Sequence, residues 1–277
     1  MLERFAPIAD GLDHPEGVTA GPDGTVYAGG EAGQIYRIDL DGPTEIGSTG
    51  GFLYGVTLDG DGNVYGCDFG RAEVVRSTPQ GEITSYATGT GDRPVRVPNF
   101  AAFDDAGALY VTDSGGWRDD DGLVFRFGPD GTAMVWSEEP AGFPNGCCLT
   151  VEGDALLVIE TTRRRVVRVP ILDDGSAGPM EVVVDLPGSL PDGMALATDG
   201  TMFVGCWRPD RVWRIPPGGD PEVLADDPDG VTFNQPANVA FIGPDRDRLA
   251  VSSLGGWSIV AADVGATGAR LRYPSIG

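Results

Sequence analysis

Six residues, Glu16, Tyr54, Asn99, Asn145, Asp192 and Asn238, each open a stretch of the same form: a short apolar strand, a turn and a second strand. Five of the six carry a carboxylate or carboxamide oxygen, and two of these, Glu16 and Asp192, are carboxylates. Burying such groups is costly unless something compensates them, and a hard divalent cation does so with oxygen ligands. Taken singly, Asn145-Gly146 and Asp192-Gly193 read as turns, because Asn and Asp before Gly are common turn residues. Turn chemistry gives no reason for one position to recur in separate repeats, so the recurrence favours a single divalent metal site. The donor set suits calcium first, with manganese or magnesium as alternatives, and oxygen-ligated zinc before a thiolate zinc site.

The repeat is visible in "EGVTAGPDGTVYAGG", "YGVTLDGDGNVYGCD", "NFAAFDDAGALYVTD", "NGCCLTVEGDALLVIE" and "DGMALATDGTMFVGC". A glycine stands eight positions after the first residue in each: Gly24, Gly62, Gly107, Gly153 and Gly200. A sixth copy, "NVAFIGPDRDRLAVSS", has Arg246 there. Starts at 16, 54, 99, 145, 192 and 238 are spaced by 38, 45, 46, 47 and 46 residues. Six units of this length predict an all-β, six-bladed β-propeller with four-stranded blades, one domain over residues 1–277. The segment "ERFAPIADGL" reads as an outer strand that closes the sixth blade, with the tail "ARLRYPSIG" as its rival. Inner strands line the channel, so the six opening residues should ring one mouth.

The loops after the second strands should open on the same face. They bring Phe69, Trp117, Trp207 and Trp257, with Arg118 and Arg208 following two of the tryptophans. Aromatics around a polar centre suit a small ring-shaped substrate; packing caps between blades are the equal alternative for any one of them. Tyr54, Asn99, Trp117, Trp207 and Asn238 are thus candidate substrate contacts. Arg96 joins them as a donor to substrate oxygens, a solvated surface arginine being the alternative. The run "TRRRVVR" reads as an exposed turn leading into a strand.

Composition excludes several classes. With 42 acidic and 19 basic residues the formal net charge is −23, which disfavours nucleic acid and anionic lipid as partners. Every basic residue is arginine, so Schiff-base chemistry is out. One histidine, His14, precludes a two-histidine metal site, and no G-x-S-x-G elbow accompanies it. Four cysteines without a C-x-x-C pair read as free thiols. With no run of eighteen apolar residues and no secretory leader pattern, a soluble, unprocessed, cytoplasmic protein is expected. The oligomeric state stays open.

The motifs "HPEG" at 14–17, "PNG" at 144–146 and "PDGM" at 191–194 resemble those of the senescence marker protein, gluconolactonase and luciferin-regenerating enzyme family. Paraoxonase and diisopropyl fluorophosphatase are similar more distantly. The resemblance implies a regucalcin-like lactonase with one catalytic metal in the channel, held by Glu16, Asn145 and Asp192. Asp192 would also be the base that activates water, and Asn99 would touch the metal or the substrate. Sugar-lactone-active members often carry Arg-x-Asn-Asp-Gly in the third blade, whereas here the stretch is "RVPNFAAFD". Arg96 is displaced by one residue and Phe100 replaces the aspartate, which implies a less polar lactone or ester substrate. Two rival readings are a non-catalytic binding propeller with a structural ion and a metal-free, strictosidine synthase-like propeller.

Overall fold

Short apolar strands punctuated by Asp-Gly turns bury one face at a time, so they stack as small antiparallel sheets rather than one wide sheet. The computed structural model describes residues 1–276. It contains six four-stranded antiparallel sheets arranged as the blades of a propeller, with a single short 3₁₀ turn at Leu2–Arg4 among the described residues. Blade 3 is typical: Pro98–Phe103 innermost, then Leu109–Asp113, Leu123–Phe127 and Ala133–Ser137. The other inner strands are Val18–Ala20, Leu53–Leu58, Pro144–Leu149, Leu190–Leu196 and Pro236–Ile242.

Six hydrophobic clusters fill the structure, each between two neighbouring blades. Tyr65, Cys67 and Val74 of blade 2, for example, pack on Ala101, Leu109 and Phe125 of blade 3. The blades therefore depend on one another for burial, and the ring must close. The N-terminal strand Ala6–Asp10 closes it, pairing antiparallel with Ser258–Asp263 as the outermost strand of blade 6.

The rival C-terminal segment does something else. Ala269 N–H donates to Leu196 O at 2.8 Å, Arg272 reaches Thr150 O at 3.1 Å, Tyr273 Oη–H reaches Ala20 O at 2.9 Å, and Gly60 N–H donates to Pro274 O at 2.8 Å. These partners lie at or just beyond the far ends of inner strands from blades 5, 4, 1 and 2. The segment thus crosses the end of the channel opposite the opening residues, over an apolar cavity of about 90 Å³ lined by residues such as Val56, Met194 and Leu271.

The repeat register holds at the turns. Gly24, Gly62, Gly107, Gly153 and Gly200 have φ between 78° and 89°, and Arg246 takes the same left-handed region at φ 50°. A side chain at that φ is strained. "TRRRVVR" is more than an exposed turn: Arg163 and Arg165 place guanidinium nitrogens 3.0 and 2.5 Å from the carboxylate of Glu160, which is fully buried.

Blades 3 and 4 are joined near the mouth by Thr112, whose hydroxyl donates to Asn145 O at 2.8 Å and accepts the Phe100 N–H at 3.0 Å. Thr112 is fully buried. Thr112→Val keeps the shape and strands those groups, so it should cost about 1–3 kcal/mol. Urea unfolding would read this as a lower midpoint at unchanged slope; an unaltered midpoint would remove the clasp from the stabilising contacts.

Candidate active site

Five of the six opening residues are re-aimed by a shared backbone irregularity, while Glu16 precedes a strand of regular register. In blades 2 to 6 the pairing between inner and second strand slips by one residue at Tyr54-Gly55, Asn99, Asn145-Gly146, Asp192-Gly193 and Ala237-Asn238. Such a β-bulge bends the strand and turns a side chain out of the regular alternation. Pro98, Pro144, Pro191 and Pro236 stand just before four of these bulges. Proline is tolerated there because each inner strand is the edge of its sheet.

Neighbouring bulges touch backbone to backbone. A Cβ on Gly17 would sit 2.2 Å from Tyr54 O, one on Gly146 2.7 Å from Asp192 O and one on Gly55 2.6 Å from Asn99 O, while one on Gly193 would meet the side chain and Cα of Asn238. Blades 3 and 6 have Phe100 and Val239 instead of that glycine. At these two junctions a hydroxyl from the second strand bridges the gap. Thr112 does so toward Asn145, and Ser252 donates to Glu16 O at 2.5 Å while accepting the Asn238 N–H at 2.9 Å. The six opening positions therefore form one closed ring.

The ring brings Glu16 and Asp192 close enough for the charge of Asp192 to act on Glu16. Burial and the nearby Asp192 carboxylate push Glu16 well above the ordinary carboxylate range. Burial likewise raises Asp192, opposed by a hydrogen bond from the Asn145 side chain. Asn145 is itself buried, and its amide donates to Thr161 Oγ1 at 3.2 Å. Tyr54 is raised by burial and by the nearby charges of Glu16 and Asp192. Among the described residues no arginine pairs with either carboxylate. Two like charges, a carboxamide oxygen and no cation make an all-oxygen donor set that fits a hard divalent ion.

The remaining candidates are placed as follows. Asn99 is buried beside the ring, while Asn238 turns its Oδ1 to the Val239 N–H at 2.7 Å. Arg96 is about half exposed and tied to Asp121 at 2.7 Å. Trp207 is half-buried under the Arg208 guanidinium, and Trp117 is exposed against Phe143 with ring centroids 4.9 Å apart. All four cysteines are free thiols, and burial pushes Cys148 and Cys206 up to about 12.

Other features depend on contacts between blades that the repeat does not announce. Next to Glu16, His14 Nδ1 lies 2.6 Å from Glu31, and its Nε2 accepts the indole N–H of Trp257 at 3.1 Å. Asp13, His14 and Glu31 bring ligand-type atoms within 4.8 Å of one another. Asp13 already accepts hydrogen bonds from Ala32 N–H and Gln34, so the group is a satisfied polar cluster. Asp68, Asp113 and Glu160 end or follow second strands and accept N–H groups from the loops entering their own inner strands, at Phe52, Val97 and Gly142.

The family model described as "SMP-30/Gluconolactonase/LRE-like region" matches residues 82–255, more than half of the chain. The chain belongs to this family. A second model, "Strictosidine synthase-like, N-terminal", matches residues 2–38. Pentonolactonase XacC of Haloferax volcanii is 30% identical over 172 residues, which cover 60% of this chain and 55% of that protein. The chain thus spans about half the length of that curated relative. Among solved structures, a gluconolactonase from Xanthomonas campestris superposes with a TM-score of 0.81 at 19% identity, covering 94% of this chain and 89% of its own. The calcium-binding protein regucalcin from Agrobacterium tumefaciens gives 0.76 at 19% identity, covering 99% and 98%. At such identities these structures establish the shared propeller alone. No helix among the described residues is long and apolar enough to cross a membrane.

The raised carboxylates set a pH dependence for the protein without bound metal. Their contribution to stability is present below the ordinary values of 4.5 and 3.8 for Glu16 and Asp192 and is lost as pH rises through the raised folded values. Chelator-treated protein should therefore lose melting temperature between about pH 4 and about pH 8 more steeply than the Asp192→Asn variant. Calcium should restore the most at the upper end. Equal slopes for the two proteins would contradict the coupling of the pair.

Proposed function

We propose that the protein is a divalent-metal-dependent hydrolase that opens a lactone or related ester ring. The observation that carries this reading is the partly buried Glu16 and Asp192 pair, with the Asp192 charge felt at Glu16, the Asn145 side chain at Asp192, and no basic partner at the channel mouth. Family membership and the pentonolactonase relative support the lactone class. The calcium-binding regucalcin of the same fold supports calcium as the first ion to try.

Glu16, Asn145 and Asp192 would hold the ion, which when bound supplies a Lewis acid for the carbonyl oxygen and for water. Asp192 takes a proton from the attacking water, whose oxygen bonds to the carbonyl carbon. The ring C–O bond then breaks, and the leaving oxygen recovers the proton to give a hydroxy acid. Burial suits Asp192 to this task, because a carboxyl raised toward neutrality both accepts and returns a proton. Asn99 and Asn145, held on bulged strands, orient the reacting oxygens. Tyr54 closes the site beside both carboxylates, and its raised phenol stays protonated as a donor at neutral pH.

One observation favours a second reading: the strictosidine synthase-like match over residues 2–38 includes Glu16. A metal-free propeller working through one glutamate has no use for a second carboxylate beside it, so the pair argues for the hydrolase.

Asp192→Asn should keep the fold and lower kcat about 10²-fold or more, the range for a general base. Activity equal to wild type would remove Asp192 from the chemistry. Glu16→Gln should chiefly weaken metal affinity, read by titrating calcium into stripped protein; unchanged affinity would take Glu16 out of the ligand set.

A further inference from the structure

Blade 2 builds an aromatic wall that runs from the carboxylate pair to the outer rim of the mouth. Tyr54 and Phe69 are stacked with centroids 5.1 Å apart and planes within 3° of parallel. Phe52 closes edge-on against them at 4.8 and 6.3 Å. The Phe69 N–H donates to Phe52 O at 2.8 Å, which ties the outer ring to the residue just before the strand that carries Tyr54. Tyr54 lies within reach of the Glu16 and Asp192 charges, whereas Phe69 leaves 40% of its surface open. A stacked, immobilised ring left partly open is suited to being covered, since exposed apolar area beside a polar site is recovered when a ligand buries it.

Arg71, two residues from Phe69, is engaged elsewhere: its guanidinium reaches Glu73 at 2.6 Å and Thr49 O at 3.2 Å. Arg96 reaches Asp121 at 2.7 Å, and Arg208 reaches Asp210 at 2.7 Å while lying over Trp207. Beside Phe69 the surface thus offers aromatic faces more readily than guanidinium donors for sugar hydroxyls. Net charge adds a direction: a neutral lactone enters a strongly acidic protein without penalty, and the hydroxy-acid anion it becomes is repelled.

We propose that the Tyr54–Phe69 wall is a specificity-determining subsite that receives an apolar aryl or alkyl substituent on the lactone ring. This rests on the lactone-opening reading and names the substrate class of that same site. Phe69 acts by binding the substituent, so its contribution falls on KM and on discrimination between lactones. It takes no part in proton transfer.

The test compares kcat/KM for phenyl- and pentyl-substituted δ-lactones with that for glucono-δ-lactone, using wild type, Phe69→Ala and Phe69→Tyr. Expected is a preference for the apolar lactones that Phe69→Ala reduces about tenfold, mainly through KM. Phe69→Tyr, which keeps the ring, should retain it. A preference for glucono-δ-lactone, or a ratio unmoved in Phe69→Ala, overturns the subsite while leaving the hydrolase reading intact. If no lactone is opened, that reading fails by itself. The subsite is then decided by calorimetry with the corresponding phenyl-substituted δ-lactam: tighter binding to wild type than to Phe69→Ala supports the wall, and equal binding overturns it. Thermal melting confirms that both variants fold.

Discussion

Six edge strands must approach one axis closely enough to close a ring, and the backbone contact this demands governs everything at the channel mouth. Four junctions meet it with a glycine directly after the opening residue, where any Cβ would collide with the next blade. The other two carry Phe100 and Val239 and are bridged by the hydroxyls of Thr112 and Ser252, which bond the next blade's carbonyl. In blades 2 to 6 the bulges at these positions also re-aim the opening side chains. A structural necessity of the fold therefore creates a ring of inward side chains, and the chemistry depends on which residues occupy it.

Those occupants leave an electrostatic deficit. Glu16 and Asp192 are desolvated, lie close together and have no arginine to neutralise them, although arginines pair with carboxylates throughout the rest of the structure. Buried Glu160 shows the ordinary solution, two guanidiniums on one carboxylate. That this solution is withheld at the ring is the strongest argument that a cation from outside completes it. The C-terminal segment crosses the opposite end, while the aromatics stand on the side of the pair.

Much of this was legible in the sequence because the propeller is a repeat. The spacing of Gly24, Gly62, Gly107, Gly153 and Gly200 set the blade register, and Arg246 confirmed it by adopting the left-handed backbone of the glycines it replaces. The same register located the ring. The N-terminal strand was recognisable as an outer strand because it precedes a first inner strand, whereas the tail's route across the channel has no counterpart in other blades. Contacts between blades were opaque for the same reason. Arg96 looked available because Asp121, its partner, stands 25 positions away on another loop. His14 looked isolated until Glu31 and Trp257, one of them 243 positions distant, enclosed it.

Lactone hydrolysis by chelator-stripped protein, with calcium, manganese, magnesium or zinc returned singly, tests the metal-dependent hydrolase most directly. Activity should vanish on stripping and return with one ion, calcium foremost. Full activity in the stripped protein, or binding of the ion with no hydrolysis under any metal, would contradict a catalytic cation held by Glu16, Asn145 and Asp192.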